Sequence, residues 1–187
     1  MFELVLQAVF SGVLVGSVYA LVALGLAVAF GAMRIINLAH GELVLLAAYM
    51  AYVVEGRFGL NPWAAIPLAL VVVVSLSWAI FKAVDRIREH RELNSLILTF
   101  AVGIVLTNAI LLIFASDVRS TSSTTLQDAI SIGDLFAMKG EIVAFCVSLV
   151  LMGALWWWLK KSWYGRAVRA VSSNREAAGL MGIDPAR

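Results

Sequence analysis

The chain has 187 residues, of which 62% are apolar and 14% are charged, whereas an ordinary soluble domain has about 45 to 50% apolar and about 25% charged residues. Because a soluble domain keeps much of its surface polar, this excess excludes a single soluble core. A formal net charge of +2 does not favour nucleic acid as a partner. One cysteine, Cys146, excludes an internal disulfide bond and forms no metal or redox motif. The composition predicts a polytopic membrane protein.

Five apolar runs are long enough to cross a bilayer as helices. They are 4–33, 35–54, 58–81, 93–116 and 142–159. As a straight helix the first run would be about 45 Å long against a hydrocarbon core of about 30 Å. It must therefore tilt, protrude or break, and Gly25 and Gly31 favour a break before the second span.

The predicted fold class is thus an all-α polytopic membrane protein with about five transmembrane helices. The transmembrane bundle occupies 1–159, and a cytoplasmic tail with a short helix occupies 160–187. The first run follows an acidic residue, Glu3, and is longer than the apolar core of a signal peptide, so we expect it to remain as a membrane anchor.

Basic residues predict the orientation of the spans. They are concentrated in the connection 82–92 and in the tail from Lys160, and such segments stay in the cytoplasm. The connection 117–141 has more acidic than basic residues and contains the polar run Ser120–Thr125, so it belongs outside. Threading the five spans places the N-terminus outside and the C-terminus of the chain in the cytoplasm.

Polar residues at the start of the second span are the first candidate functional residues. Asn37, His40 and Glu42 lie beside or within the hydrocarbon region, where ionisable groups are costly and mark translocation paths. Alternatively, Asn37 caps the helix and Glu42 meets the positive end of its dipole. Both interpretations stay open. One His and one Glu do not complete a metal site, and no nucleophile has a base at a triad spacing.

The fourth span contains regularly spaced polar residues. Thr99 and Gly103 are four residues apart and share a helix face. Thr99 either lines a polar passage or makes hydrogen bonds between helices, and the second role is favoured.

The tail contains a short helix with signals at both ends. Ser173 and Glu176 fit a capping box, and Gly182 stands where a glycine ends a helix, with Pro185 beyond it. The predicted helix runs from about 174 to 181 and places Ala177, Leu180 and Met181 on one face. A helix this short is stabilised by docking into a groove on another protein, or by lying on the bilayer surface.

Three motifs together resemble the LivH-type permeases of branched-chain amino acid ABC importers. They are Gly16-Ser17-Val18-Tyr19-Ala20-Leu21, Ile36-Asn37-Leu38-Ala39-His40-Gly41-Glu42, and Asn174-Arg175-Glu176-Ala177-Ala178-Gly179-Leu180-Met181-Gly182-Ile183-Asp184. The third resembles the Glu-Ala-Ala loop that couples such permeases to their ATPases.

The resemblance implies a transport subunit in the bacterial inner membrane rather than an enzyme, with no cofactor of its own. Its implied partners are a LivM-like permease subunit, cytoplasmic ABC ATPases and a periplasmic binding protein, besides the lipid bilayer. The chain has no P-loop, so the partners would hydrolyse ATP. The implied coupling residues are Glu176, Ala177, Ala178, Leu180, Met181 and Gly182. The candidate translocation residues are Asn37, His40, Glu42 and Thr99.

Other functions remain open at this point. Related permeases carry urea or short amides, and a small membrane scaffold with a surface-bound tail also fits the composition. An intramembrane enzyme that uses His40 and Glu42 fits less well, because a second catalytic cluster is absent. Permeases of the resembled family continue past the coupling loop, so we expect the chain to be an N-terminal portion of a longer bundle.

Overall fold

The computed structural model describes residues 1–33, 35–87, 91–115, 128–132 and 135–182. They belong to two compact units, one formed by Met1–Arg34 with Thr124–Arg187 and the other by Ile35–Ser123. In chain order the elements are α1 (Phe2–Met33), α2 (His40–Phe58), a 3-10 turn (Pro62–Ala64), α3 (Ala65–Asp85), α4 (Arg91–Phe114), β1 (Ala129–Ile132), β2 (Leu135–Met138), α5 (Lys139–Lys161), α6 (Trp163–Ser173) and α7 (Arg175–Leu180).

The all-α fold class is confirmed, with four segments of the described chain long and apolar enough to cross a membrane. They are Phe2–Met33, Pro62–Asp85, Glu92–Phe114 and Lys139–Lys161, and they match the first, third, fourth and fifth predicted spans. Only 6% to 17% of each apolar window is buried within the chain. Since the rest of these surfaces is apolar, it must meet lipid or other protein.

The second predicted span is the least regular. Its helix begins at His40 rather than Ile35 and has 19 residues, among them Glu42, Glu55 and Arg57. Its role as a fifth span stays a prediction.

The first helix has no break at its glycines. α1 is continuous over 32 residues, through Gly25 and Gly31. A glycine costs a helix only about 1 kcal/mol relative to alanine, whereas an unpaired backbone group in hydrocarbon costs several kcal/mol. The expected break therefore lies farther along the chain, where Ile35–Ala39 are not helical.

In the first unit, α1 packs against α5. The Ser148 hydroxyl donates to the Ser17 hydroxyl oxygen, and the two oxygens are 2.9 Å apart. Ser148 is 1% exposed and Ser17 is 8% exposed. Both serines lie near the middle of their helices, where the surrounding bilayer is most apolar, and packing between the helices buries the polar pair away from lipid. Interhelical hydrogen bonds of this kind contribute about 0.6 kcal/mol on average.

Side-chain hydrogen bonds also join elements at both ends of this helix pair. The Gln7 amide donates to the Phe136 carbonyl (2.7 Å) and accepts from the Phe136 amide (3.0 Å). Phe136 lies in β2, which pairs antiparallel with β1 and leads into α5. At the opposite end, the Ser172 hydroxyl of α6 donates to the Gly31 carbonyl of α1 (2.6 Å). α1 and α5 therefore run parallel, as the threading of the spans predicts for the first and fifth.

The turn from α5 into α6 depends on Gly165. The Ser162 hydroxyl accepts from the Gly165 amide at 2.8 Å and caps α6. A Cβ atom on Gly165 would overlap the main chain of Leu159, including its carbonyl oxygen. Only glycine therefore allows the first turn of α6 to lie this close to the last turn of α5.

The second unit comprises α2, α3 and α4. Its buried core contains Ile35, Ala39, Leu43, Ile80 and Val84. At the middle of α2, the Tyr49 ring stacks on Phe114, the last residue of α4, with the centroids 4.4 Å apart. The first turn of α2 lies against Gly103 at the middle of α4. Since the middle of α2 then meets the end of α4, these two helices also run parallel.

We predict that Gly165→Ala destabilises the α5 to α6 turn by about 1 to 3 kcal/mol, since the added methyl group must displace backbone. Thermal unfolding in detergent and the rate of tryptic cleavage after Lys161 measure the effect. Gly153→Ala is the control, because a Cβ atom at Gly153 of α5 meets nothing within 4 Å. Equal stability of the two variants would contradict the prediction.

Candidate functional sites

The first candidate site is the non-helical segment Ile35–Ala39, held by Thr99 of α4. The Leu38 amide donates to the Thr99 hydroxyl oxygen at 3.2 Å. The Thr99 hydroxyl donates its single hydrogen to one of two carbonyl oxygens. The Leu96 carbonyl oxygen is 3.2 Å away and the Ile36 carbonyl oxygen is 3.4 Å away. Thr99 is 0% exposed. The sequence favours hydrogen bonds between helices for Thr99, whereas this bond joins α4 to the non-helical turn before α2.

Asn37 stabilises the turn before α2 rather than the helix itself. Its side-chain oxygen accepts from the Ala39 amide at 3.1 Å, and its carbonyl accepts from the His40 amide at 3.2 Å. The N-cap residue of α2 is Ala39, which makes no side-chain capping bond. The prediction that Asn37 caps the helix is therefore wrong by two residues, because its side chain closes the turn that comes first.

Gly103 brings the first turn of α2 against α4. A Cβ atom there would lie 3.7 Å from the Ala39 Cα and 3.7 Å from the Glu42 Cγ. As the spacing indicates, Thr99 and Gly103 lie on one face of α4, and this face meets the segment that contains Asn37 and Glu42. The structure thus brings together the four candidate translocation residues around one turn, although their function stays a prediction.

This turn lies at bilayer depth if α4 spans the membrane. Gly103 is the middle residue of the apolar segment Glu92–Phe114, and Thr99 is one helical turn away, about 6 Å along the axis. Non-helical backbone at that depth is tolerated only where protein buries it or where it lines a cavity. Thr99 and Asn37 supply the hydrogen bonds that the helix does not.

His40 contains an unsatisfied polar atom. Its Nε2 is buried and has no hydrogen-bond partner among the described residues, while the side chain as a whole is partly buried. Such an atom normally has a partner, because burying it unpaired costs about 1 to 3 kcal/mol. No three His, Cys, Asp or Glu side chains of the described chain come together as a metal site.

We predict that Thr99→Val destabilises the second unit by about 1 to 3 kcal/mol, because it leaves the Leu38 amide buried without an acceptor. Hydrogen exchange at Leu38 should become faster. Thr107→Val is the matched control, since the Thr107 hydroxyl donates only to the Gly103 carbonyl of its own helix in the described structure. Slow exchange at Leu38 in Thr99→Val would show that the hydroxyl is dispensable.

The second candidate site is α7, in the other unit. The Asn174 side chain accepts from the Ala177 amide at 3.0 Å and caps the helix. The prediction that Ser173 is the cap is wrong, because Ser173 is the last residue of α6. The Glu176 side chain, predicted as the other half of the capping box, and Pro185 lie outside what the structure describes.

Gly182 ends the short helix as predicted. Its φ is +81°, a left-handed conformation that favours glycine, and its amide donates to the Gly179 carbonyl at 3.1 Å. The observed helix, Arg175–Leu180, falls within the predicted range. Both ends of α7 are thus fixed by local hydrogen bonds.

The two large apolar side chains at the end of α7 are exposed, whereas the small Ala178 is buried. Ala178 is 4% exposed, whereas Leu180 is 90% and Met181 is 82% exposed. Two large apolar side chains at the tip of a capped helix form a surface that can enter a groove of another protein.

Three other interactions were not predicted from the sequence: Gln7 with Phe136, Ser17 with Ser148, and Ser172 with Gly31. Single Ser and Gln residues in apolar helices are a weak signal, since they also bond within their own helix. The strand pair β1–β2 was likewise not expected in the predicted external connection.

Residues 8–187 match the family described as "Branched-chain amino acid transport system / permease component". The chain is 27% identical to the high-affinity branched-chain amino acid transport system permease protein BraD of Pseudomonas aeruginosa, over 96% of this chain and 62% of BraD. It is 29% identical to the corresponding LivH protein of Escherichia coli K12, over 97% of this chain and 63% of LivH.

A probable branched-chain amino acid transport permease protein LivH of Methanocaldococcus jannaschii is 29% identical, over 88% of this chain and 54% of that protein. The chain therefore spans between 54% and 63% of the length of these relatives. No solved structure matches it significantly.

Proposed function

The chain belongs to the family of branched-chain amino acid transport system permease components, and on this premise we propose that it forms part of an ABC importer for leucine, isoleucine and valine. The family consists of transport components rather than enzymes. Membership, together with the four apolar helices, makes the chain a multi-pass protein of the inner membrane. The branched-chain substrate is proposed because the relatives BraD and LivH are branched-chain amino acid transport permeases.

The observation that carries the proposal is the exposed apolar tip of α7 on a helix that is fixed at both ends. In the proposed importer, the surface of Ala177, Leu180 and Met181 docks into a groove of a cytoplasmic ABC ATPase, and Glu176, Ala178 and Gly182 maintain the loop that presents it. ATP-driven closure of the ATPases would move α7.

Movement of α7 would pass to the membrane helices through α6. The beginning of α6 lies against α5 at Leu159, and its end is bonded to α1 through Ser172 and Gly31. α6 therefore contacts both long helices of the unit, and a force on α7 acts on the two together. Rigid-body movement of packed helices is the usual basis of alternating access.

We further propose the partners and the orientation. A binding protein delivers the amino acid from outside, a second LivM-like permease subunit completes the path, and α7 faces the cytoplasm with the N-terminus of the chain outside. The parallel arrangement of α1 with α5, and of α2 with α4, agrees with spans that cross the membrane alternately, and the basic residues of the tail favour the cytoplasm for α7. Of the connection 117–141, for which the charges favour the outside, residues 117–127 and 133–134 are not among the described residues.

We expect Leu180→Asp to abolish leucine uptake by the complete transporter, since a buried charge replaces an apolar anchor. Loss of such an anchor typically costs 2 kcal/mol or more, about thirtyfold in affinity for the ATPase. Uptake into proteoliposomes and co-purification of the ATPase are the measurements, and Glu176→Lys is a second variant with the same expected outcome.

Ser173→Asp is the matched control, because it adds the same charge on an exposed residue two positions from the start of α7. It should retain uptake and bind the ATPase. Normal uptake by Leu180→Asp would remove the coupling role of α7.

For the path, we propose that His40, with Asn37, Glu42 and Thr99, lines the route of the amino acid. The supporting observation is the buried Nε2 of His40, which has no partner in the described chain. An amino acid carboxylate, passing beside the turn, would supply an acceptor for an Nε2–H donor.

We expect His40→Leu to raise the KM for leucine about tenfold or more, the usual effect of losing a hydrogen bond to a charged group. Thr107→Val is the control, because its hydroxyl bonds within α4. Unchanged KM and maximal rate in His40→Leu would place His40 outside the route.

A further inference from the structure

Basic and aromatic side chains gather where α5 passes into α6, a region that we call the elbow (residues 156–169). From 142 to 175 the chain has no Asp or Glu. The basic residues of the elbow, all exposed, are Lys160, Lys161, Arg166 and Arg169. Its exposed aromatic residues are Trp156, Trp157, Trp158, Trp163 and Tyr164, with exposed fractions from 40% to 67%. The elbow therefore has a local positive charge that no acidic residue of this stretch balances.

The contacts of α6 fix its direction. Gly165 touches the end of α5, and Ser172, seven residues later, is bonded to the end of α1. Seven residues of helix span about 10 Å, which equals the usual distance of about 8 to 10 Å between the axes of packed helices. α6 thus crosses the ends of α1 and α5, and lies along the membrane surface if these helices span it.

The two faces of α6 differ in polarity. Arg166 and Arg169 are three residues apart and share one face, whereas Val168 and Val171 lie on the opposite face. The guanidinium group of Arg166 donates to the Lys161 carbonyl at 2.9 Å, which holds it beside the end of α5.

One cation of the elbow lies over an aromatic ring. The Lys160 ammonium is 4.7 Å from the centroid of the Trp156 ring. Tryptophan and tyrosine concentrate at the level of the lipid headgroups. If the rings of the elbow take this position, Lys160 lies at the level of the phosphates.

We propose that the elbow is a binding site for the headgroups of anionic phospholipids in the cytoplasmic leaflet. Arg166 and Arg169 bind phosphate oxygens, since a guanidinium group matches phosphate geometry with paired hydrogen bonds. Lys160 and Lys161 add attraction to the anionic surface. Lipid bound here would hold α6, and with it α7, at a fixed depth. The site requires neither transport nor an ATPase, and only its assignment to the cytoplasmic leaflet rests on the proposed orientation.

The test measures quenching of tryptophan fluorescence by brominated lipids. The chain is reconstituted in vesicles of phosphatidylcholine with a minor fraction of phosphatidylglycerol, and either one lipid or the other is brominated. The parent chain for this test is the whole chain with Trp63→Phe and Trp78→Phe, so that its four remaining tryptophans all lie in the elbow. We expect brominated phosphatidylglycerol to quench more than its share of the lipid. The double variant R166Q/R169Q should lower this preference about fivefold for each arginine removed.

R166K/R169K keeps the charge but loses the paired hydrogen bonds of the guanidinium groups, so it should retain only part of the preference. Lys139→Gln is the matched control, because Lys139 lies at the other end of α5, in an ion pair with Asp128 at 2.6 Å, and should change nothing. Quenching by each lipid in proportion to its share of the vesicle, in the parent chain, overturns the proposal. So does a preference that survives R166Q/R169Q, or a loss of quenching by both lipids alike in that variant, since headgroup charge would then not be the cause.

Discussion

Backbone amides and carbonyls inside a bilayer have no water to bond, and this constraint explains most of the described structure. It keeps α1 helical through Gly25 and Gly31, although glycine is a poor helix former. Where the helix does stop, at Ile35–Ala39, side chains replace the missing bonds. Thr99 accepts from the Leu38 amide, and Asn37 accepts from the Ala39 amide. This break lies among the residues proposed above to line the route of the substrate.

In the other unit too, a few polar side chains determine how the helices are arranged. Each long helix there is almost wholly apolar, so apolar packing alone favours no particular neighbour over lipid. Single polar side chains determine which elements pack together, since each makes a hydrogen bond to another element. Gln7 bonds to β2, Ser17 bonds to Ser148 of α5, and Ser172 bonds to the end of α1. With these bonds the two long helices and α6 become one body, and α7 is carried at its end. In the proposed importer, an ATPase bound to the tip of α7 would therefore act on both long helices together.

The candidate sites differ in how much of them the sequence predicts. The short helix was predicted almost to the residue, because Asn174 and Gly182 act locally through their own backbone neighbours. Even there, the choice between Ser173 and Asn174 as cap needed the structure, since either residue can cap and the end of α6 decides. The partnership of Thr99 with Leu38 joins residues far apart in the chain, and a local pattern shows only that Thr99 and Gly103 share a face. Likewise, nothing beside His40 in the sequence indicates that its Nε2 is left without a partner in the described chain.

From its composition and the length of its apolar runs, the chain is a helical membrane protein with its basic residues gathered near the ends of spans. Those features follow from the free energy of transferring each side chain from water to the membrane, to which every residue contributes separately. Which helices lie side by side was decided by the tertiary structure alone, as were the closing of the turn before α2 by Thr99 and the direction of α6 across α1 and α5. The physical reason is that lipid and a neighbouring apolar helix are nearly equivalent surroundings for Leu or Val. A few hydrogen bonds and one glycine, Gly165, therefore set the arrangement, and they act only once distant parts of the chain have met.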